Sequence, residues 1–292
     1  MKTLVILGAG QMGMAAFELV KAASWKVLAI GDNDPDKWTC SQDISPSDIP
    51  VICPGQIPPI CPVKEALACH PDMVLIGLMG EERSRKLMAQ ARQAGYGGTF
   101  TLLSDLYGLL DFRGRTLRLA ADRIRDQKIP GCVAELGVYK GDTARLMNLF
   151  FPDRTLYLFD TFEGFDERDL VRDEIGMRKD MFKDTSADLV AGRLPFPEKA
   201  VIRKGYFPDT AEGLDDIRYA FVSLDPDLYA PLLAGLSWFY PRLNPGGMIL
   251  VHDYNNKQFP GAKKAVHDFE KESGPLKLIP LADLHGSCVI IK

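Results

Sequence analysis

No apolar run in this chain approaches the ~20 residues that a membrane-spanning helix needs; the longest runs are strand-sized. A membrane partner is therefore not expected. Long basic runs are also missing, and the 292 residues carry a formal net charge of −4, so a nucleic-acid partner is not expected either. None of the six cysteines, Cys40, Cys53, Cys61, Cys69, Cys132 and Cys288, stands in a C-x-x-C pair. The series Cys53, Cys61, Cys69, with His70 after it, lacks the close pairing of zinc ligands, and reduced structural thiols are expected. The opening Met1-Lys2-Thr3-Leu4-Val5-Ile6-Leu7-Gly8 has one lysine and a short apolar run before a glycine. It reads as a first strand rather than a secretion signal, which makes the cytoplasm the default location.

What is present is a chain that is 46% hydrophobic and 25% charged, enough for ordinary buried cores, and long enough for two domains. Two glycine-bearing strand-to-helix turns divide it. The first, Gly8-Ala9-Gly10-Gln11-Met12-Gly13, follows Leu4-Val5-Ile6-Leu7; Lys26–Ile30 then reads as a second strand ending near Asp32 and Asp34. The second turn, Glu135-Leu136-Gly137-Val138-Tyr139-Lys140-Gly141, follows Cys132-Val133-Ala134, and Asp160 closes the next strand, Leu156-Tyr157-Leu158-Phe159. Each has the form of the ligand-facing end of a doubly wound sheet. Residues 44–62 hold six prolines and leave room only for short strands and turns.

Alternating strand and helix patterns assign residues 1–105 to a small Rossmann-like domain, 106–131 to a helical linker, and 132–292 to a second α/β domain. In the second domain, strand-then-helix units are followed by two terminal strands around Asp283-Leu284-His285-Gly286. That order predicts seven strands with one antiparallel, and it resembles the sheet of class I methyltransferases.

Acids gather where strands end. Asp225 closes Val222-Ser223-Leu224 and is followed by Pro226-Asp227, while His252-Asp253 closes the next strand at Val251. Ligands in open α/β sheets bind beyond the carboxyl ends of strands, and adjacent strands lie ~4.8 Å apart. Asp225 and Asp253 are thus expected to converge on a hard cation such as Mg2+. The long polar segment from Glu163 to Asp188, which includes Met177-Arg178-Lys179, fits a lid over such a site or a surface excursion.

Several blocks occur together in order: Glu135–Ala144, Leu158-Phe159-Asp160-Thr161-Phe162-Glu163-Gly164-Phe165, Gly205-Tyr206-Phe207-Pro208-Asp209-Thr210, Leu224-Asp225-Pro226-Asp227-Leu228-Tyr229, Tyr240–Gly247 and His252-Asp253-Tyr254. From about Arg115 onward the chain resembles the macrocin O-methyltransferase family. The resemblance implies S-adenosylmethionine as cofactor, Mg2+ as metal, and a small-molecule sugar hydroxyl as acceptor. It places the cofactor at Glu135, Gly137, Tyr139, Gly141, Thr143, Asp160, Thr161 and Phe162. Asp225, His252 and Asp253 are the metal candidates, and the acceptor's proton falls to Asp225, Asp227 or His252. The family carries two aspartates before the tyrosine, where this chain has His252-Asp253; the change weakens the expected magnesium site. An imidazole can still ligate or accept a proton.

Residues 1–95 are similar, more loosely, to the N-terminal nucleotide-sugar-binding domain of bacterial sugar acyltransferases. Gly8, Gly10, Gln11, Met12, Gly13 and Asp32 are then candidates for holding a nucleotide sugar or NAD(P). Two other readings stay open: an NAD-dependent oxidoreductase using that first loop, and a non-catalytic nucleotide-binding sensor. Homo-oligomers are compatible with the chain.

Overall fold

Apolar strands here are too short to be stable alone, and most are covered by helices packed on the sheet faces. The computed structural model describes residues 2–21, 25–39, 57–109, 111–170, 180–283 and 285–292. It falls into two compact units, Met1–Asp111 and Phe112–Lys292.

The first unit runs β1 (Thr3–Leu7), α1 (Gln11–Lys21), β2 (Lys26–Gly31), β3 (Ile60–Cys61), α2 (Val63–Leu67), β4 (Met73–Ile76), α3 (Glu81–Gln93), β5 (Thr99–Leu102) and α4 (Leu103–Leu109). Its five strands are parallel in the order β3-β2-β1-β4-β5. Leu4 to Leu7 in the central strand are fully buried, as expected of a parallel strand covered on both faces. The third glycine of the loop is a packing requirement: a Cβ on Gly13 would lie 1.8 Å from the Gly8 carbonyl oxygen. Residues 44–56 of the proline-rich stretch, with Cys40 and Cys53, lie outside the described residues; β3 is the short strand that follows.

The second unit runs α5 (Phe112–Asp126), β6 (Cys132–Leu136), α6 (Asp142–Phe150), β7 (Leu156–Asp160), α7 (Ala187–Ala191), β8 (Ala200–Lys204), β9 (Tyr219–Leu224), α8 (Tyr229–Arg242), β10 (Leu243–Val251), α9 (Pro260–Ser273), β11 (Lys277–Pro280) and β12 (Cys288–Ile291). The sheet order is β11-β12-β10-β9-β6-β7-β8, and β12 runs antiparallel to both of its neighbours. Alternate residues face opposite cores. Ala134, Phe159, Val222 and Val251 pack with Leu232, Leu236, Phe239 and Val266 of α8 and α9. Val133, Leu158, Phe221 and Leu250 pack with Leu117 and Ile124 of α5 and Met147 of α6.

Residues 106–131 do not form one continuous connecting helix. The first part closes α4, while α5 belongs to the second unit, because Leu117, Ala121 and Ile124 are fully buried in its core. Strand β10 starts at Leu243 rather than Met248, and Asn244-Pro245-Gly246-Gly247, with Gly246 at φ +81°, carries a register shift against β9. It ends at Val251, which leaves His252 and Asp253 just past the sheet. Of the segment 163–188, residues 171–179 lie outside the described residues, Met177, Arg178 and Lys179 among them. No described helix is long and apolar enough to cross a membrane.

Replacing Gly13 by Ala should destabilise the first unit by about 1–3 kcal/mol, because the methyl has no room beside a backbone carbonyl. Chemical denaturation followed by tryptophan fluorescence measures this; an unchanged midpoint would show that the helix–strand packing is looser than described.

Candidate active site

Strands β6 and β9 are sheet neighbours although they are far apart in sequence, and the chain order reverses between them. A crevice opens at such a reversal, outside the carboxyl ends of the strands. Two contacts draw its walls together. Asp225 N donates to the Leu136 carbonyl (2.8 Å), and Gly137, at φ +81°, lies so close that a Cβ would sit 2.2 Å from the Asp225 carbonyl oxygen. Only glycine fits both that conformation and that approach.

A cavity of about 350 Å³ occupies the crevice, within the size range of small-molecule sites. Glu135, Gly137, Tyr139, Thr143, Asp160, Thr161, Asp225, Asp227, His252 and Asp253 all line it. Gly141 and Phe162 do not. Gly141 precedes α6 in a left-handed conformation, and Phe162 is buried with its N–H on Asp160. Four lining residues that are not glycine, Tyr139, Phe182, Asp227 and Asp253, have φ between +49° and +62°. Such strained backbone persists where the surroundings demand it, and it concentrates at ligand sites.

Asp160 organises the glycine loop. Its Oδ2 accepts from the N–H groups of Val138 (2.7 Å) and Tyr139 (2.9 Å), and its Oδ1 from Phe162 (2.6 Å). A carboxylate offers about four acceptor positions, so a ribose hydroxyl would share these oxygens with the loop. Glu135 is almost fully buried, and its Oε2 has no hydrogen-bond partner among the described residues. Burial, only partly offset by the Arg113 charge, raises its carboxyl well above the ordinary range. A buried carboxylate oxygen without a partner is costly, and it calls for an explanation such as a catalytic role or a bound group.

The densest electrostatics lie past β9 and β10. Nδ1 of His252 is 2.8 Å from Asp225 Oδ1 and 2.8 Å from Asp253 Oδ2. Burial opposes its charge, but the Asp225 carboxylate and the hydrogen bonds to both acids outweigh burial and lift the imidazole to about 10. Arg113 of α5 places Nη2 2.9 Å from Asp225 Oδ2. Burial would raise Asp225, yet the His252 and Arg113 charges hold it below the usual carboxylate value. For Asp227, burial and the neighbouring Asp225 and Asp253 charges outweigh the His252 charge and push it well above that value. His285, from the β11–β12 turn, sits with its ring 4.6 Å from that of His252 and its Nδ1 3.7 Å from Asp253 Oδ1.

The geometry offers two sets of possible metal ligands. Asp225, Asp227 and Asp253 bring one oxygen each within 4.8 Å of one another, a hard-donor set suited to Mg2+. His252, Asp253 and His285 form a second set at the same spacing, and the proton that the two acids favour on His252 competes with its service as ligand or base.

Sequence reasoning missed Arg113, His285 and Asp169. Arg113 is one of several arginines on an amphipathic helix, and nothing in the spacing separates it from the surface ones. His285 was visible only as a turn residue. Asp169 lay among acids of a polar segment, yet it lines the cavity, is 5% exposed, and accepts from Tyr206 Oη at 2.9 Å; burial pushes its carboxyl up to about 6. On the loop's outer side, Tyr139 Oη donates to Asp184 Oδ1 (2.6 Å), and Lys140 pairs with the same carboxylate.

In the first unit, Asp32 is nearly buried: Oδ2 accepts from Ala9 N, and Oδ1 from Asp34 N. It ties the first glycine loop to the turn after β2. A Cβ on Gly10 would meet nothing within 4 Å, so Gly10 leaves open space beside the loop.

His252 sets a measurable pH dependence. Its folded value of about 10 lies above the ordinary ~6.5 of an unfolded chain, so its stabilisation is complete below pH ~6.5 and is lost as pH rises through about 10. NMR of labelled imidazoles should show His252 titrating near 10, and Asp225→Asn should bring that midpoint down. A midpoint between 6 and 7 in the unaltered protein would contradict the bridged geometry.

Comparison with known proteins bears on the second unit. The Macrocin-O-methyltransferase (TylF) family matches residues 111–291, more than half of the chain. Among curated relatives, 8-demethyl-8-(2,3-dimethoxy-alpha-L-rhamnosyl)-tetracenomycin-C 4'-O-methyltransferase of Streptomyces olivaceus is 25% identical over 189 residues, 59% of this chain and 70% of that protein. Mycinamicin III 3''-O-methyltransferase of Micromonospora griseorubida is 29% identical over 164 residues, 50% of this chain and 63% of that protein. The solved O-methyltransferase NovP superposes with a TM-score of 0.54 at 23% identity, covering 62% of this chain and 79% of NovP. The calicheamicin methyltransferase CalS11 gives 0.51 at 19%, covering 73% and 94%. These two likenesses concern the fold.

Proposed function

The chain belongs to the macrocin-O-methyltransferase family, and on that premise we propose that its second unit moves the methyl group of S-adenosylmethionine onto a hydroxyl of a sugar borne by a small molecule. One observation carries the reading. A single cavity is lined by a strand-end acid suited to a ribose (Asp160), a buried acid with one unpaired oxygen (Glu135), and three converging carboxylates (Asp225, Asp227, Asp253). The relatives' names, which describe O-methylation of sugar-bearing natural products, support the acceptor class.

The donor's sulfonium already makes the methyl carbon electrophilic, so the protein's work is to orient an alcohol and take its proton. Glu135 lies where it can neutralise the cationic methionine end, and Asp160 with the glycine loop receives the ribose. In the transfer the hydroxyl oxygen bonds to the methyl carbon, the carbon–sulfur bond breaks, and S-adenosylhomocysteine leaves. Asp227 takes the hydroxyl proton. Its raised proton affinity makes its ionised form a stronger base than Asp225, whose proton affinity His252 and Arg113 lower. Asp225 and Asp253 orient the acceptor, and the His252 imidazolium between them keeps the two like charges in place. Mg2+ held by Asp225 and Asp253, with Asp227 at its edge, would supply Lewis-acid polarisation and a template for two acceptor oxygens. In the first unit, the open space at Gly10 beside Gly8, Gln11, Met12, Gly13 and Asp32 favours a nucleotide or nucleotide sugar.

Calorimetric titration should show S-adenosylhomocysteine binding to the full chain. Asp225→Ala and Asp227→Asn should each lower turnover of a sugar-bearing acceptor by about 100-fold or more, the scale of a lost general base or orienting group. Saturation by NAD(H), with no response to S-adenosylhomocysteine, would overturn the proposal in favour of an oxidoreductase. Replacing His252 by Asp removes an internal cation and adds a carboxylate, and should tighten Mg2+ binding by about 10-fold. An unchanged Mg2+ affinity would mean that the carboxylate triad is not the cation's site.

A further inference from the structure

Two histidines from different elements flank the Asp253 carboxylate, one at each oxygen. His252, just past β10, places Nδ1 2.8 Å from Oδ2, and His285, from the β11–β12 turn, places Nδ1 3.7 Å from Oδ1. Metal–ligand bonds of about 2.1 Å put neighbouring ligand atoms ~3.0–3.4 Å apart in octahedral or tetrahedral geometry, and the two observed separations bracket that range. All three side chains line the cavity. The surrounding backbone holds them there. Asp253 has φ +58°, and Asn256 Nδ2 donates to its Oδ1. The turn that carries His285 is fastened to the same segment: Asn255 N donates to the Gly286 carbonyl (2.8 Å), and a Cβ on Gly286 would lie 2.7 Å from Asn255 Cβ. Ser287 closes that turn, with N and Oγ donating to Asp283 at 2.7 and 2.6 Å.

Donor chemistry separates this set from the all-carboxylate one. Mg2+ takes oxygen ligands and keeps its waters, whereas imidazole nitrogen suits divalent transition cations such as Zn2+, Fe2+ and Ni2+. Two imidazoles and one carboxylate also leave coordination positions open, as catalytic metal sites with three protein ligands do. We propose that His252, Asp253 and His285 bind a divalent transition cation of the zinc type, selected by nitrogen ligation, in place of the magnesium that paired aspartates would hold. Asp253 belongs to both sets, so a cation here excludes one held through Asp225, Asp227 and Asp253. A ligating imidazole is neutral, so the cation takes the place of the proton between the two acids, and Asp225 keeps Arg113 at 2.9 Å. The site stands independently of the methyl-donor reading, because holding a cation requires no donor.

The full chain, freed of metal by chelation and dialysis, would be titrated with Zn2+, Co2+ and Mg2+, beside His285→Ala and Asp227→Asn. Zn2+ should bind about 100-fold tighter than Mg2+ or better. His285→Ala should weaken Zn2+ by about 10-fold or more and leave Mg2+ within about threefold, because only the nitrogen-bound ion loses a ligand. Retained Mg2+ binding also reports an intact fold. Asp227→Asn, outside the set, should leave Zn2+ within about threefold. Proton NMR of the Co2+ form should show two strongly shifted, exchangeable imidazole N–H signals, one of them lost in His285→Ala; in the unaltered protein this tests ligation without any substitution. Bound Co2+ with no shifted imidazole signal would overturn the proposal. So would a Zn2+ affinity that ignores His285→Ala, or one that falls as far in Asp227→Asn. Equal losses of Zn2+ and Mg2+ in His285→Ala would assign His285 to holding the turn and defeat the nitrogen selection. S-adenosylhomocysteine binding, measured separately, bears on the donor alone.

Discussion

Three carboxylates crowded past the ends of β9 and β10 have to be held against their mutual repulsion in a buried place, and the site depends on how that is done. Asp225 and Asp253 share one imidazolium, with His252 Nδ1 2.8 Å from each, and Arg113 braces Asp225 from α5. Those two cations balance two acids. Asp227 carries the remaining strain as a raised proton affinity and a left-handed backbone. A group in that condition has two outlets, a proton or an added cation, and both serve the transfer proposed for the cavity.

The sheet supplies the precision. Parallel strands with helices on both faces end at a common edge, and reversal of strand order between β6 and β9 leaves a crevice there. Its width is set by backbone contact: Asp225 N on the Leu136 carbonyl, and Gly137 against the Asp225 carbonyl. Asp160 then fixes the glycine loop through the N–H groups of Val138 and Tyr139, and its own turn through that of Phe162, so the expected ligand-binding acid is also a structural tie. Asp32 plays the same tying part in the first unit through Ala9. In both places a strand-end acid first satisfies loop N–H groups that would otherwise be buried without partners.

Much of this was legible beforehand because it is written in local pattern. Buried parallel strands read as apolar runs, glycine turns follow them, and acids stand at their ends; Glu135, Asp160, Asp225 and Asp253 were found in this way and all line the cavity. His252 was recognised as a departure from the family, but its effect was not. Whether an imidazole ligates, accepts a proton or carries one depends on what faces it, and two carboxylates at 2.8 Å favour the charged form. The boundary between units was similarly hidden: α5 looks like a connector in sequence, and only its buried Leu117 and Ile124 attach it to the second core.

Periodicity and turn chemistry act over a few residues, and they determined the strands, their order of appearance, the two glycine loops and the acids that close the strands. Pairing across the sheet acts over a hundred residues or more. Together with helix packing it decided that Arg113 meets Asp225, that His285 stands beside His252, and that Asp227 joins Asp225 and Asp253. Charges interact through space, so their consequences appear only once the chain has folded distant elements to within a few ångströms of each other.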